Sequence, residues 1–247
     1  MGELIVTGFF IGNGVAAIFY PWIGVVIAYL FSVMTPQSIW WWHFGPDFRP
    51  LMQIVIPTFI GIFLAFLRGK VQPGRLLNPL LYPFAILFIF LTVSYFFGPY
   101  VEIRNENTFH PAWPVFKILI NIFIMLLMGV LVIDSEKKLR ALSLVLIVTV
   151  IYMIYWSNDQ YLFQHRYGRI GGPGYNTGAG GNYADENSFA VLFVTGLPFL
   201  YYWGHYLKRP VLKIAVWLLI PFGWHSVFLT GSRGGLIALG VTILITA

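Results

Sequence analysis

The chain has 247 residues, 58% of them hydrophobic and only 10% charged. A soluble globular domain carries about 25% charged residues, so a large water-soluble fold is excluded. No cysteine is present, which excludes disulfides and thiolate chemistry. Much of the net charge of +6 lies in short loops, where basic residues orient membrane spans, and it does not point to nucleic acid.

In chain order, residues 4–20 form an apolar run broken by Gly8, Gly12, Asn13 and Gly14. Pro21-Trp22 opens a second run ending near Met34. These read as two short spans or one broken hairpin. Residues 35–50 form a loop with Trp40, Trp41 and Trp42, the composition of an interfacial belt. Apolar runs then cover 51–67, 79–97, 113–133, 142–156, 188–203 and 212–228, and a last run starts at Gly234. Pro57, Pro83, Pro198 and Pro221 fall inside runs, which membrane helices tolerate better than soluble ones. The expected fold is all-α: one polytopic transmembrane bundle over 1–247 with about eight or nine spans. The 14 residues from Gly234 to Ala247 give about 21 Å of helix, against a hydrocarbon core of about 30 Å. The chain is therefore expected to be the N-terminal portion of a longer protein.

Basic residues set the topology. Arg68, Lys70 and Arg75 share one loop, Lys137, Lys138 and Arg140 a second, and His205, Lys208, Arg209 and Lys213 surround a third. These three alternate correctly for cytoplasmic loops. Residues 35–50, 98–112, 158–187 and 229–233 then lie outside.

Two arginine motifs fall on that outer face. The first is His165-Arg166-Tyr167-Gly168-Arg169-Ile170-Gly171-Gly172-Pro173-Gly174, continuing to Asp185-Glu186-Asn187. The second is Thr230-Gly231-Ser232-Arg233-Gly234-Gly235. Seven glycines lie within 168–181. Such backbone can turn its N–H groups around an anion, and arginine adds a fork of donors that matches phosphate oxygens. The bland alternative is an unconstrained outer loop. A P-loop is excluded because the Gly-Lys-Ser/Thr ending is missing. Asp185 and Asn187 stand at a helix start, as caps, as ligands, or both. Arg233 is either an interfacial anchor that snorkels to headgroups or a charge facing a cavity. Lys117, one turn inside its span, is either an anchor or a further positive group for a diphosphate. His110 is a lone loop histidine. No His, Asp and Glu set has metal-ligand spacing, and neither metal nor cofactor is expected.

These motifs together resemble the O-antigen ligase and polymerase superfamily, most of all the branch of exosortase A-associated O-glycosylation ligases. The matching pieces are Arg169-Ile170-Gly171-Gly172-Pro173-Gly174, Asp185-Glu186-Asn187-Ser188-Phe189-Ala190 with Leu197-Pro198, and Leu229-Thr230-Gly231-Ser232-Arg233-Gly234-Gly235. Pro21-Trp22-Ile23-Gly24 and Met34-Thr35-Pro36 also look like that branch. Glu186 stands where many of its members have asparagine. The resemblance implies a GT-C-like membrane glycosyltransferase of the bacterial cytoplasmic membrane. It would move a glycan from undecaprenyl diphosphate to a lipid or protein acceptor on the outer face, without a metal. It implies Arg169 and Arg233 as catalytic residues and a histidine base beyond residue 247. Arg166, Lys117, Gly172, Asp185, Asn187 and Ser232 complete the expected substrate-binding set. Other readings are a polysaccharide polymerase of the same superfamily, an anion (bicarbonate-type) transporter, and a non-catalytic, flippase-like partner. A transporter would show repeated halves, and the sequence has no internal repeat.

The topology is open to test. A cysteine placed at Gly178 is expected to react with a membrane-impermeant thiol reagent in intact cells. Labelling only after lysis would invert the assignment.

Overall fold

The computed structural model describes residues 2–39, 49–98, 112–173, 183 and 185–246. Trp40, Trp41, Trp42, His110 and the glycines at 174, 178, 180 and 181 lie outside these residues. All regular structure among the described residues is helical. The helices are α1 (Gly2–Phe19), α2 (Pro21–Val33), α3 (Pro36–Ile39), α4 (Pro50–Leu67), α5 (Tyr82–Phe97), α6 (Ala112–Val132), α7 (Glu136–Leu162), α8 (Glu186–Tyr206), α9 (Pro210–Thr230) and α10 (Arg233–Thr246). Two 3-10 turns, Pro73–Leu77 and Pro79–Leu81, lead into α5.

Four segments are long and apolar enough to cross a membrane: Pro50–Leu67, Pro79–Phe97, Glu136–Leu162 and Pro210–Thr230. Further apolar helices, among them Pro21–Val33 and Arg233–Thr246, are shorter. Helix α8 has 21 residues, about 31 Å at the helical rise. Tyr201, Tyr202, Trp203 and His205 make its last turns more polar.

The first two apolar runs are separate helices. Pro21 occupies the first position of α2, where its missing N–H costs nothing. One boundary differs from the sequence reading. Residues 158–162, expected to open the outer loop, are the last turns of α7. Asn158 and Gln160 are buried there, and the bonds Asn158 makes to α9 extend the helix past the point where hydropathy falls.

The chain divides into two compact units. One comprises Thr7–Ala28 and Leu51–Leu139. In it, α1, α2 and α4 meet through small residues: a side chain at Gly61 would run into the Ala17 carbonyl, and one at Gly24 into Thr58. Helices α5 and α6 are joined by aromatic rings, with Phe88 stacked on Phe123 at 4.4 Å and Tyr95 on Phe116 at 4.4 Å. Beyond the end of α6, Asp134 is paired with Lys138 at 2.6 Å and Arg75 at 3.5 Å. The same two cations donate to the last α6 carbonyls, Arg75 to Leu131 and Lys138 to Val132, groups that a helix end leaves without partners.

The other unit comprises Met1–Val6, Tyr29–Pro50 and Arg140–Ala247 and carries both arginine motifs. Its core is built from α7, α8, α9 and α10 around Val150, Met153, Phe189, Phe193, Leu200 and Val227, all essentially inaccessible. Without a hydrophobic drive in lipid, helices associate by close packing over small residues. A side chain at Gly196 would strike Val150, and one at Gly223 would strike Leu197. A Cβ at Gly235 would sit 2.6 Å from the Ala190 Cβ. Neither atom can swing away, so the backbones of α8 and α10 would have to separate. Gly235→Ala is expected to destabilise the unit by about 1–3 kcal/mol, the usual cost of overpacking. Ala190→Gly should recover part of that loss, as read by thermal unfolding in detergent. Equal stability of Gly235→Ala and the wild type would refute the close packing.

Candidate functional site

The first motif leaves α7 in a short turn. The Arg166 amide donates to the Gln160 carbonyl at 3.1 Å, and His165 takes a left-handed conformation at φ 52°. From there the chain runs to the end of α9, where the Ile170 amide donates to the Leu229 carbonyl at 3.0 Å. Gly172 then donates to the Tyr183 carbonyl at 2.6 Å. A side chain at Gly172 would run into Tyr183. That N–H is therefore occupied, and Gly172 serves close packing. Tyr183 lies over Phe189, and burial pushes its phenol up to about 12.

The second motif is a tight link between α9 and α10. Gly231 caps α9 at φ 62°, a conformation that only glycine adopts freely. A Cβ there would also lie 3.0 Å from the Arg169 Nε. Ser232 follows as the cap of α10, its hydroxyl accepting the Gly235 amide at 3.1 Å. The amides of Arg233 and Gly234, first in α10, have no acceptor within the helix.

The two motifs meet. Arg169 donates from Nη2 to the Gly231 carbonyl at 3.0 Å. The Ser232 hydroxyl donates to Asn187 Oδ1 at 2.8 Å, tying the start of α10 to the start of α8. Asn187 in turn donates from Nδ2 to Asp185 Oδ1 at 3.2 Å. Asp185 caps α8, accepting the amides of Asn187 and Ser188 and the Ser188 hydroxyl. Donation from Ser188 holds the Asp185 carboxyl below its ordinary range.

The result is an open cleft of about 560 Å³ lined by Arg169, Asn187, Gly231, Arg233 and Gly234. Two helix N-termini lie at this place, and each carries a partial positive charge. Both arginines are exposed. Neither Arg169 nor Arg233 has an ion pair among the described residues. Two guanidinium groups and a carboxamide line the cleft with the first residues of α10, and the Asp185 carboxylate beside Asn187 is engaged in capping α8. Such an arrangement attracts a multivalent anion.

Two further sequence candidates, Arg166 and Lys117, are not among the residues that line the cleft. Arg166 shares the loop and has an exposed side chain, but it does not line the cleft. Lys117 lies on α6, exposed, in the other unit. Gly231 and Gly234 line the cleft although they carry no side-chain chemistry. The sequence signal for them was only their place beside Arg233. A buried polar cluster of Ser157, Asn158 and Ser226 with the half-buried His225 gave no motif at all, since its members lie singly or in pairs inside apolar runs.

Compared with known protein families, curated proteins and solved structures, the chain matches none.

The caps can be tested by themselves. Asp185→Ala is expected to cost about 1 kcal/mol, the usual loss for a helix cap, while Asp185→Asn keeps most of the stability. Acid should mimic the loss. The folded carboxyl is held low, so its contribution is complete above the ordinary carboxylate range near ~4. It fades as pH falls through the depressed value. Thermal unfolding of the wild type and Asp185→Asn across this range reads the effect, and identical pH profiles would refute it.

Proposed function

We propose that this chain is the membrane portion of an O-antigen ligase-like glycosyltransferase of the bacterial cytoplasmic membrane. It takes a glycan from undecaprenyl diphosphate and delivers it to a lipid or protein acceptor on the outer face. The observation that carries the reading is the pairing of Arg169 with Arg233 in one cleft at two helix starts. The motif resemblance supports the same assignment.

In this reading the diphosphate of the donor sits between the two guanidinium groups, with the amides of Arg233 and Gly234 turned toward it. Breaking the glycosidic bond moves negative charge onto the diphosphate oxygens. Donors already aimed at that charge lower the barrier, because they need not reorganise during the reaction. Asn187 and Ser232 hold the two helix starts in register. Arg169 and Arg233 act on the leaving group. A polymerase of the superfamily would share this donor chemistry and differ in its acceptor, a growing polysaccharide. The cleft is made from helix ends and loops, and not from a break within a helix as a transporter site would be. This favours group transfer over anion transport.

The decisive variant is Arg233→Lys. Lysine keeps the charge and snorkels as well as arginine, but it loses the paired N–H fork. A lost charge-assisted hydrogen bond is worth about 1.5–3 kcal/mol, roughly 10- to 150-fold in rate. Glycan transfer from undecaprenyl diphosphate, with membrane abundance checked, is expected to fall by that factor. Full activity in Arg233→Lys would leave only an interfacial anchor.

A further inference from the structure

We infer that Tyr161 is a positioning residue for Arg169, a role that rests on the anion-cleft reading above. Tyr161 is half-buried in the last turn of α7, and two rings meet it edge-to-face. On one side is His225 of α9, with ring centres 5.4 Å apart and planes at 78°. The other partner is Tyr167 of the arginine loop, at 5.7 Å and 89°. Tyr167 stands two residues before Arg169, and its hydroxyl pairs with His165 Nδ1 at 3.0 Å. Just past Arg169, the Ile170 amide is fixed on the Leu229 carbonyl. Arg169 is thus held from both sides, and Tyr161 provides the hold on the N-terminal side.

The far end of this stack is rigid for a reason that hydrogen bonding dictates. Asn158 Nδ2 lies 2.8 Å from the Ile154 carbonyl, 3.3 Å from the Phe222 carbonyl and 3.0 Å from Ser226 Oγ. Carbonyl oxygens only accept, so the amide nitrogen must face them. Asn158 Oδ1 is then turned toward His225 Nδ1, at 2.8 Å. An amide oxygen has no proton to give, so His225 donates from Nδ1. Ser226 donates to the Phe222 carbonyl at 2.8 Å and receives Ser157 at 2.7 Å. The Asn158 amide and the His225 imidazole are therefore fixed in direction, and the imidazole cannot flip without breaking its bond to Asn158. A fixed imidazole fixes the ring stacked on it, and so the height at which the arginine loop leaves α7.

This assigns a task to polar residues the donor chemistry does not use. It also explains why α7 continues past its apolar stretch: Tyr161 is four residues beyond Ser157 and three beyond Asn158, on the same side of the helix.

The test is a double-mutant cycle on the purified full chain in detergent. The probe is inorganic diphosphate and the readout is the calorimetric Kd. Tyr167 is 73% exposed, so Tyr167→Ala removes the ring contact to Tyr161 and the hydroxyl bond to His165 without touching the core, while Tyr167→Phe removes the bond alone and should bind as the wild type does. Tyr167→Ala is expected to weaken binding roughly 3- to 10-fold, the factor that one edge-to-face pair corresponds to. Tyr161→Phe keeps the ring and should bind as the wild type does. In an Arg169→Ala background, Tyr167→Ala should cost nothing further, because the residue it positions is gone. Two results would overturn the inference while sparing the cleft: full affinity in Tyr167→Ala, or an undiminished loss from it in the Arg169→Ala background. Absence of diphosphate binding by the wild type, or full affinity in Arg169→Ala, would remove the cleft reading itself and the positioning role with it.

Discussion

Everything at the site depends on how closely α8 and α10 can approach. Their backbones meet where Gly235 faces Ala190, with room for no additional carbon. Only at that separation can the Ser232 hydroxyl reach the Asn187 carboxamide. This single bond brings two positive helix ends together. Like partial charges repel, and the close packing of Gly235 on Ala190 below holds the two ends together against that repulsion. Ser232 serves twice, capping its own helix and bridging to the next. The geometry of the cleft thus follows from a packing contact one turn beneath it.

The arginine loop meets this pair through a different kind of constraint. It uses few contacts, and most are made by its backbone: Arg166 to Gln160, Ile170 to Leu229, Gly172 to Tyr183. Its side chains add the Tyr167 ring on Tyr161, the buried Ile170, and the Arg169 guanidinium on the Gly231 carbonyl. Gly231 is required there twice over, by its left-handed turn and by the arginine lying across it.

Much of this was legible in the sequence. Apolar runs separated by basic loops pointed to helices, and Pro21 marked the start of α2, while α4 and α9 begin at Pro50 and Pro210, one and two residues before the runs at 51 and 212, because proline fits a first turn. The two motifs named Arg169, Arg233, Asp185, Asn187 and Ser232, because arginine beside glycine and a capping Asx carry local signals. What the sequence hid was tertiary. The Asn158 and His225 pairing joins residues 67 apart, and periodicity says nothing of partners at that range. Hydropathy also ended α7 too early, since it reads Asn158 and Gln160 as water-seeking when their neighbours bury them. Gly172 looked like part of an anion cradle by composition, yet its amide already has an acceptor. Nor does sequence spacing reveal that Lys117 belongs to the other unit.

One feature of the cleft reaches beyond geometry. Arg169 and Arg233 line one cleft, neither in an ion pair among the described residues, so like charges repel across it. That repulsion acts on the loop and on α10, the elements whose union defines the cleft. An anion between them replaces repulsion with attraction, and by linkage it must stabilise the fold as well as occupy the site. Salt screens this repulsion without altering the spacing that Gly235 and Ala190 set.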